Sequence, residues 1–296
     1  MDEIEEYIKA GKIAAKARDA GRKLVKPGES VLKIAEKIEQ MIKEEGAGIA
    51  FPANISINEN AAHYTPKHAD DLVIKENDVV KVDVGTHING FIGDTAITVD
   101  VSGEHSDLIE AGEQALENAL AIAKAGVEVG KIGEEIEKTI ISKGFRPVEN
   151  LSGHSLGQYS LHSGVSIPNV KQEKTEKLEE GMAVAIEPFA STGKGIVTEG
   201  NITEIFQLQA VVPVRNTHAR KLIQVIAQEY KTLPFAERWL YSKGFNEFQI
   251  KVGLKELVQA GALRPYPVLH DIKGSLVSQK EHTIIIEKDS CKITTR

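Results

Sequence analysis

VVKVDVGTHINGFIGDTAITVDV, residues 79–101, has two arms rich in Val, Ile, Thr and Phe around Asn89-Gly90. That dipeptide strongly signals a tight β-hairpin, because both residues tolerate positive φ. One arm carries Asp83, the other Asp94. A turn centred on Ile88 and Asn89 sets Asp83 directly opposite Asp94. A turn centred on Asn89 and Gly90 sets it opposite Ala96, with Asp94 as the diagonal neighbour. Either register leaves both carboxylates on one face. Two like charges across strands, flanked by Val82, Val84 and Ile92, destabilise a sheet unless one is protonated or a cation lies between them. A metal ion is the simplest resolution. The plainer reading is that these are turn-forming or solvated aspartates, and the rest of the chain decides between the two.

Composition narrows the classes. The 296 residues are 41% hydrophobic and 27% charged, which describes a globular chain of one large or two smaller domains. A net charge of −7 and a pI near 5.8 disfavour a broad nucleic-acid or acidic-membrane surface. Cys291 is the one cysteine, which rules out an intrachain disulfide framework and fits a reducing cytoplasm. The acidic, amphipathic start MDEIEEYIKAGK has neither a basic end nor an apolar core, and no apolar run is long enough to span a bilayer. A soluble cytoplasmic protein is expected.

Helical periodicity runs over residues 4–25, 30–45, 106–124 and 129–143, each broken by glycine or proline. The second and fourth of these repeat one another. Laying Gly126 on Gly28 aligns identical residues at Val31, Lys33, Ile34, Glu36, Ile38, Glu39, Ile42 and Gly46 with positions 129–144. With a small shift the match continues into a strand, so that Ile74 meets Leu178, Glu76 meets Glu180 and Asp83 meets Glu187. Two copies of a helix, helix, strand unit imply a pseudo-symmetric α/β domain in which each half brings a carboxylate to the middle.

Between and after the copies lie further candidates. LSGHSLGQYSLHSGVSIPN, residues 151–169, holds His154 and His162, which share a side if the segment is extended. SQKEHTIIIEKD, residues 278–289, reads as a final strand with Glu281 ahead of a buried Ile284–Ile286 run. Asp83, Asp94, His154, Glu187 and Glu281 form an oxygen-rich set with one imidazole and no thiolate. Such a set suits Mn, Fe, Co or Zn in a reactive rather than a structural site. Four carboxylates exceed what one divalent ion needs, and two ions would neutralise them. No nucleophile elbow, Walker or dinucleotide motif is present.

At these residues the chain resembles the methionine aminopeptidases of type 2, in the short archaeal-type form. AFPANISINENAAHYTP, KVDVGTHINGFIGDTAITV, LSGHSLGQYSLH, AIEPFASTGKG, LPFAERWL and EHTIIIE match that family's segments in order. The resemblance implies a pseudo-two-fold pita-bread α/β fold and removal of N-terminal methionine before a small second residue, by a hydroxide bridging two divalent metals. It makes Asp83, Asp94, His154, Glu187 and Glu281 the metal ligands and Glu187 a proton shuttle as well. His63 and His162 become the two active-site histidines, and Phe51 and Leu161 line the methionine pocket beside them. Lys280 departs from the pattern, since an aromatic residue commonly precedes the last glutamate.

The long gap between Glu187 and Glu281 points to type 2. Residues 1–195 and 270–296 are expected to form the catalytic domain and 196–269 a winged-helix-like insert. Within the insert, THARKLIQVIAQEY, LPFAERWLYSKG and EFQIKVGLKELVQAGAL read as three helices, and YPVLHDIKGSLVS, which follows them, reads as a hairpin wing around Lys273-Gly274. Expected partners are the N-terminal Met-peptides of nascent chains, with the ribosome near at hand, for a monomer binding neither membrane nor specific nucleic acid. The competing readings are a proline-specific aminopeptidase or dipeptidase of the same fold and a non-catalytic binding homologue; the filled ligand set argues against the latter.

Overall fold

Two helices lead the chain, α1 (Glu3–Leu24) and α2 (Val31–Glu44). The computed structural model describes residues 3–296; residues 1 and 2, where the expected catalytic domain starts, lie outside the described residues. Val31, Ile34, Ile38 and Ile42 make one buried stripe on α2, and Ser30 caps its start. Next come β1 (Gly48–Ile57), β2 (Asn60–Ala62), β3 (Val79–Ile88) and β4 (Phe91–Asp100). β3 sits between β1 and β4 in an antiparallel sheet that α1 and α2 cover. The hairpin turn is centred on Asn89 and Gly90, at φ 50° and 94°, so Asp83 faces Ala96 and Asp94 faces Gly85.

The second half repeats the plan with α3 (Ser106–Ile122), α4 (Val129–Ser142), β5 (Arg146–Pro147), β6 (Ser152–Leu156), β7 (Ser166–Pro168), β8 (Ala183–Ile186) and β9 (Phe189–Ser191). The internal repeat survives as matched hydrogen bonds. Gly28 N–H donates to the Ile74 carbonyl and Gly126 N–H to that of Leu178, both at 2.8 Å. Val31 and Val129 likewise donate to Leu72 and Glu176, both at 3.0 Å. Ile132, Ile136 and Ile140 of α4 are buried as their counterparts on α2 are.

The region expected to be an insert contains β10 (Thr198–Leu208), α5 (Thr217–Glu229), β11 (Phe235–Ala236), a 3-10 helix (Glu237–Lys243), α6 (Glu247–Gln259) and β12 (Leu263–His270). The expected middle helix is thus a short strand followed by a 3-10 turn. Pro234 disfavours helix at Leu233, and Phe235 and Ala236 pair with β10 instead. Leu222, Ile226, Leu254 and Leu257 of α5 and α6 pack on Phe206 and Leu208 of β10.

β13 (Val277–Gln279), β14 (His282–Ile286) and β15 (Cys291–Ile293) close the chain. The strand expected across 278–289 is therefore broken at Lys280-Glu281, while Ile284–Ile286 are buried as expected. No hairpin forms around Lys273-Gly274: β12 pairs with β10 and β2, and β13 pairs with β9. The Asp271 carboxylate sends the connection elsewhere, accepting from Ser191 Oγ at 2.6 Å and from the Lys194 and Gly195 amides at 3.0 Å each. β14 lies between β8 and β15 in a sheet ordered β15-β14-β8-β6-β7. It also touches β4, where Thr283 Oγ1 both accepts from the Asp94 amide and donates to the Asp94 carbonyl, at 2.8 Å each. No described helix is long and apolar enough to cross a membrane.

Candidate metal centre and substrate cleft

The β4–β14 seam is where the acidic side chains of the two halves meet. Asp83 and Asp94 come from the hairpin, His154 from β6, Glu187 from just beyond β8 and Glu281 from the break before β14. One atom each of Asp94, His154 and Glu281 lies within 4.8 Å of the other two, close enough to hold one cation together. His154 Nε2 is 3.6 Å from Asp94 Oδ2 and 3.7 Å from Glu187 Oε1. All five residues line one cleft of about 540 Å³, a size suited to a small ligand.

Electrostatics say what this cluster lacks. Burial, then the neighbouring carboxylates, hold Asp94, Glu187 and Glu281 well above the usual carboxylate range. Burial pushes Asp83 up to about 7 against hydrogen bonds from Asn54 and Gln279. His154 is driven the other way by burial and His162, to about 3, so its imidazole is neutral. Asp83 Oδ1 and Asp94 Oδ1 are buried acceptors with no donor among the described residues. Crowded carboxylates, a neutral imidazole and acceptors without donors fit divalent cations, which would remove the mutual repulsion.

Among the residues expected from sequence, His63, His162, Phe51 and Leu161 line the same cleft. The segment carrying His154 and His162 is not extended. It turns back at Gly157, whose N–H donates to the Ser160 carbonyl at 2.9 Å, and the two rings still come within 4.5 Å of each other. His63 Nδ1 is 3.2 Å from the Pro267 carbonyl. A carbonyl only accepts, so Nδ1 carries the proton and Nε2 presents a lone pair. Burial, with His162 and Arg264 nearby, lowers His63 to about 4 despite that bond. Burial and Arg264 also lower His162, whose ring opens onto the cleft. Phe51 lies across from Gly85, where any Cβ would fall 2.1 Å from its ring. Lys280 does not line the cleft; its amine pairs with Glu113 on α3 at 3.0 Å.

Sequence reasoning missed four residues here. Asn54 stands opposite Asp83 in the β1–β3 ladder, and Gln279 Nε2 donates to Glu187 Oε2 at 3.2 Å. Tyr266 of β12 sets its ring edge-on to His63 at 5.3 Å, and Arg264 lies 5.1 Å over the Tyr266 ring. The two amides sit in strands without a motif. The other pair comes from β12, whose strand pairing no local pattern shows. Alternation in LRPYPVLH was the one available signal.

The sequence pattern of metallopeptidase family M24 matches residues 5–214. The chain belongs to that family. A member named methionine aminopeptidase, from Pyrococcus horikoshii, is 51% identical over 99% of both chains. The crystal structure of a methionine aminopeptidase from Thermotoga maritima superposes with a TM-score of 0.73 at 25% identity, covering 99% of this chain and 96% of the other. A thermophilic Arx1 superposes at 0.86 with 20% identity, over 99% of this chain and 90% of the other, and shares the fold. This M24 member therefore has the pita-bread fold and is a metallopeptidase acting with divalent metal ions.

Proposed function

We propose that the cleft removes the N-terminal methionine from peptides and new proteins whose second residue is small, as a type 2 methionine aminopeptidase. The observation that carries this is the convergence of four carboxylates and a neutral imidazole in one cleft that Phe51, Leu161 and two further neutral histidines also line. Relatives at 44–51% identity over 99–100% of the chain are named methionine aminopeptidase, with no type in the name. The long stretch between Glu187 and Glu281, which holds β10–β12, supports type 2.

Asp83, Asp94, His154, Glu187 and Glu281 are the residues we assign to two divalent ions, drawn from Co, Mn, Fe and Zn. Bound there, such ions supply Lewis-acid polarisation of the scissile carbonyl and a nucleophilic water at neutral pH. The residues do the rest. Glu187, steadied by Gln279, takes the proton of the attacking water and returns it to the leaving nitrogen. His162 donates to the oxygen on which charge develops. His63, protonated on Nδ1, offers Nε2 as acceptor to the N–H of the scissile amide. The short side chain demanded at the second residue fits a cleft edge occupied by Tyr266 and Pro265.

Residues 196–269 are proposed as an insert subdomain that supplies this edge. We place the enzyme in the cytosol, as a monomer meeting nascent chains near the ribosome, without membrane or specific nucleic-acid binding; an acidic chain with a single cysteine suits that setting. Release of methionine from Met-Ala-Ser but not from Met-Leu-Ser or an acetylated peptide is the expected result. Calorimetric titration of Asp94→Asn and Glu281→Gln should show lost or weakened metal sites. Unchanged stoichiometry in both variants would reject the ligand assignment.

A further inference from the structure

Glu39 of α2 and Arg238 of the 3-10 helix form an ion pair whose side chains are only 7% and 4% exposed. Each partner also holds one foot of the excursion between β1 and the segment after β2. Glu39 Oε1 accepts from the Ala53 amide at 3.3 Å, and Glu39 Oε2 accepts from Trp239 Nε1 at 2.9 Å. Arg238 Nη1 donates to Thr65 Oγ1 at 2.7 Å and to the Pro66 carbonyl at 3.0 Å. Thr65 Oγ1 in turn donates to the Ala53 carbonyl at 2.9 Å, which closes the excursion. Two residues before Thr65 stands His63, at φ 65°, a conformation that non-glycine residues seldom hold.

A buried ion pair contributes little net stability, since apolar residues of similar size often serve as well. Its value lies in geometry. A backbone strained at one residue persists where its surroundings fix it from several sides. Here Arg238 fixes the chain after His63, and the Pro267 carbonyl of β12 fixes the ring itself. Both holds come from the insert region.

We propose that Arg238, held in place by Glu39, is a positioning residue that sets the His63 ring in the cleft and so couples the insert to the chemistry. The inference rests on the role given to His63 above. Misplacement of a reacting group by about 1 Å costs roughly 100-fold in rate. Arg238→Met should therefore lower kcat by roughly 10- to 100-fold while bound metal stays at the parent level, and Arg238→Lys should restore part of the loss. In a His63→Ala background the same change should alter kcat by less than about twofold, because the group it acts through is gone.

A second readout is independent of turnover. The His63 ring signals, assigned in proton–carbon NMR spectra by their loss in His63→Ala, should titrate near 4 in the parent. In Arg238→Met they should move toward 6.5, the ordinary value, as the displaced ring loses its burial. Equal losses of kcat in both backgrounds, or an unmoved His63 titration, would overturn the proposal. Should His63→Ala leave kcat intact, the catalytic reading of His63 falls, while the NMR titration still decides whether Arg238 places the ring. If Arg238→Met does not fold, the double variant Glu39→Met/Arg238→Met removes both buried charges together and serves for every measurement.

Discussion

His63 and His162 face one cleft, and only His63 sets its Nδ1 against the Pro267 carbonyl, so the tasks proposed for them differ, His63 as acceptor and His162 as donor. His162→Ala should lower kcat by roughly 10²–10³-fold, the usual cost of one donor to a developing oxyanion, with metal per chain unchanged by elemental analysis. A folded variant that came out metal-free would make His162 a ligand instead. His63 also carries a pH signature. Its folded value near 4 lies below the unfolded 6.5, so both states are neutral above 6.5 and the folded state alone resists protonation below it. Stability is therefore lost as pH falls from 6.5 toward 4. His63→Gln should flatten that limb in denaturant titrations run across this window, and an unaltered limb would contradict the placement. At this scale Asp83 and Asp94 were legible as candidates because carboxylates in apolar strands violate the strand pattern. Asn54 and Gln279 do not violate it, since neutral amides are ordinary there, and only the ladder and the fold reveal what they touch.

Elements with local signals were readable and those built from distant pairing were not. The Asn89-Gly90 hairpin, the amphipathic helices and the repeat follow from periods of two and 3.6 residues and from turn chemistry. The β10–β12 pairing joins Leu208 to Leu263 across two helices and a 3-10 turn, so sequence showed α5 and α6, read the stretch between them as a third helix and expected a wing that does not form. That pairing makes a prediction about the insert. β12 brings Arg264 and Tyr266 to the cleft, backed by α5 and α6 through Phe206, Leu208 and Leu263. Replacing residues 217–259 by a short linker, with β10 and β12 retained, removes Arg238 along with the helices, so it should lower kcat as Arg238→Met does and in addition raise KM for Met-Ala-Ser well above twofold with metal still bound. A KM within about twofold of the parent in a folded variant would show that the helices merely decorate the strands.

The whole molecule is two similar halves closed around acids that neither half can satisfy alone. Ions that bind the folded state only add stability by mass action, about 2.7 kcal/mol at a free concentration one hundred times Kd. Chelation should lower the melting temperature of the parent, and Asp94→Asn should show a smaller drop, by scanning calorimetry. A parent indifferent to chelator would mean that the cluster holds no ion. The repeat made this two-part plan visible in advance, while the seam between the halves was not visible, because it depends on threonine hydroxyls and not on apolar pattern. Thr283 grips both the amide and the carbonyl of Asp94 across 189 residues of chain. During synthesis at about 5–20 residues per second, that grip arrives roughly 10–40 s after the hairpin it completes. For those seconds the growing chain has Asp83 and Asp94 in place and lacks Glu281 altogether. On the ligand assignment proposed above, a chain destined to trim new proteins thus has no complete metal centre until its own synthesis is nearly over.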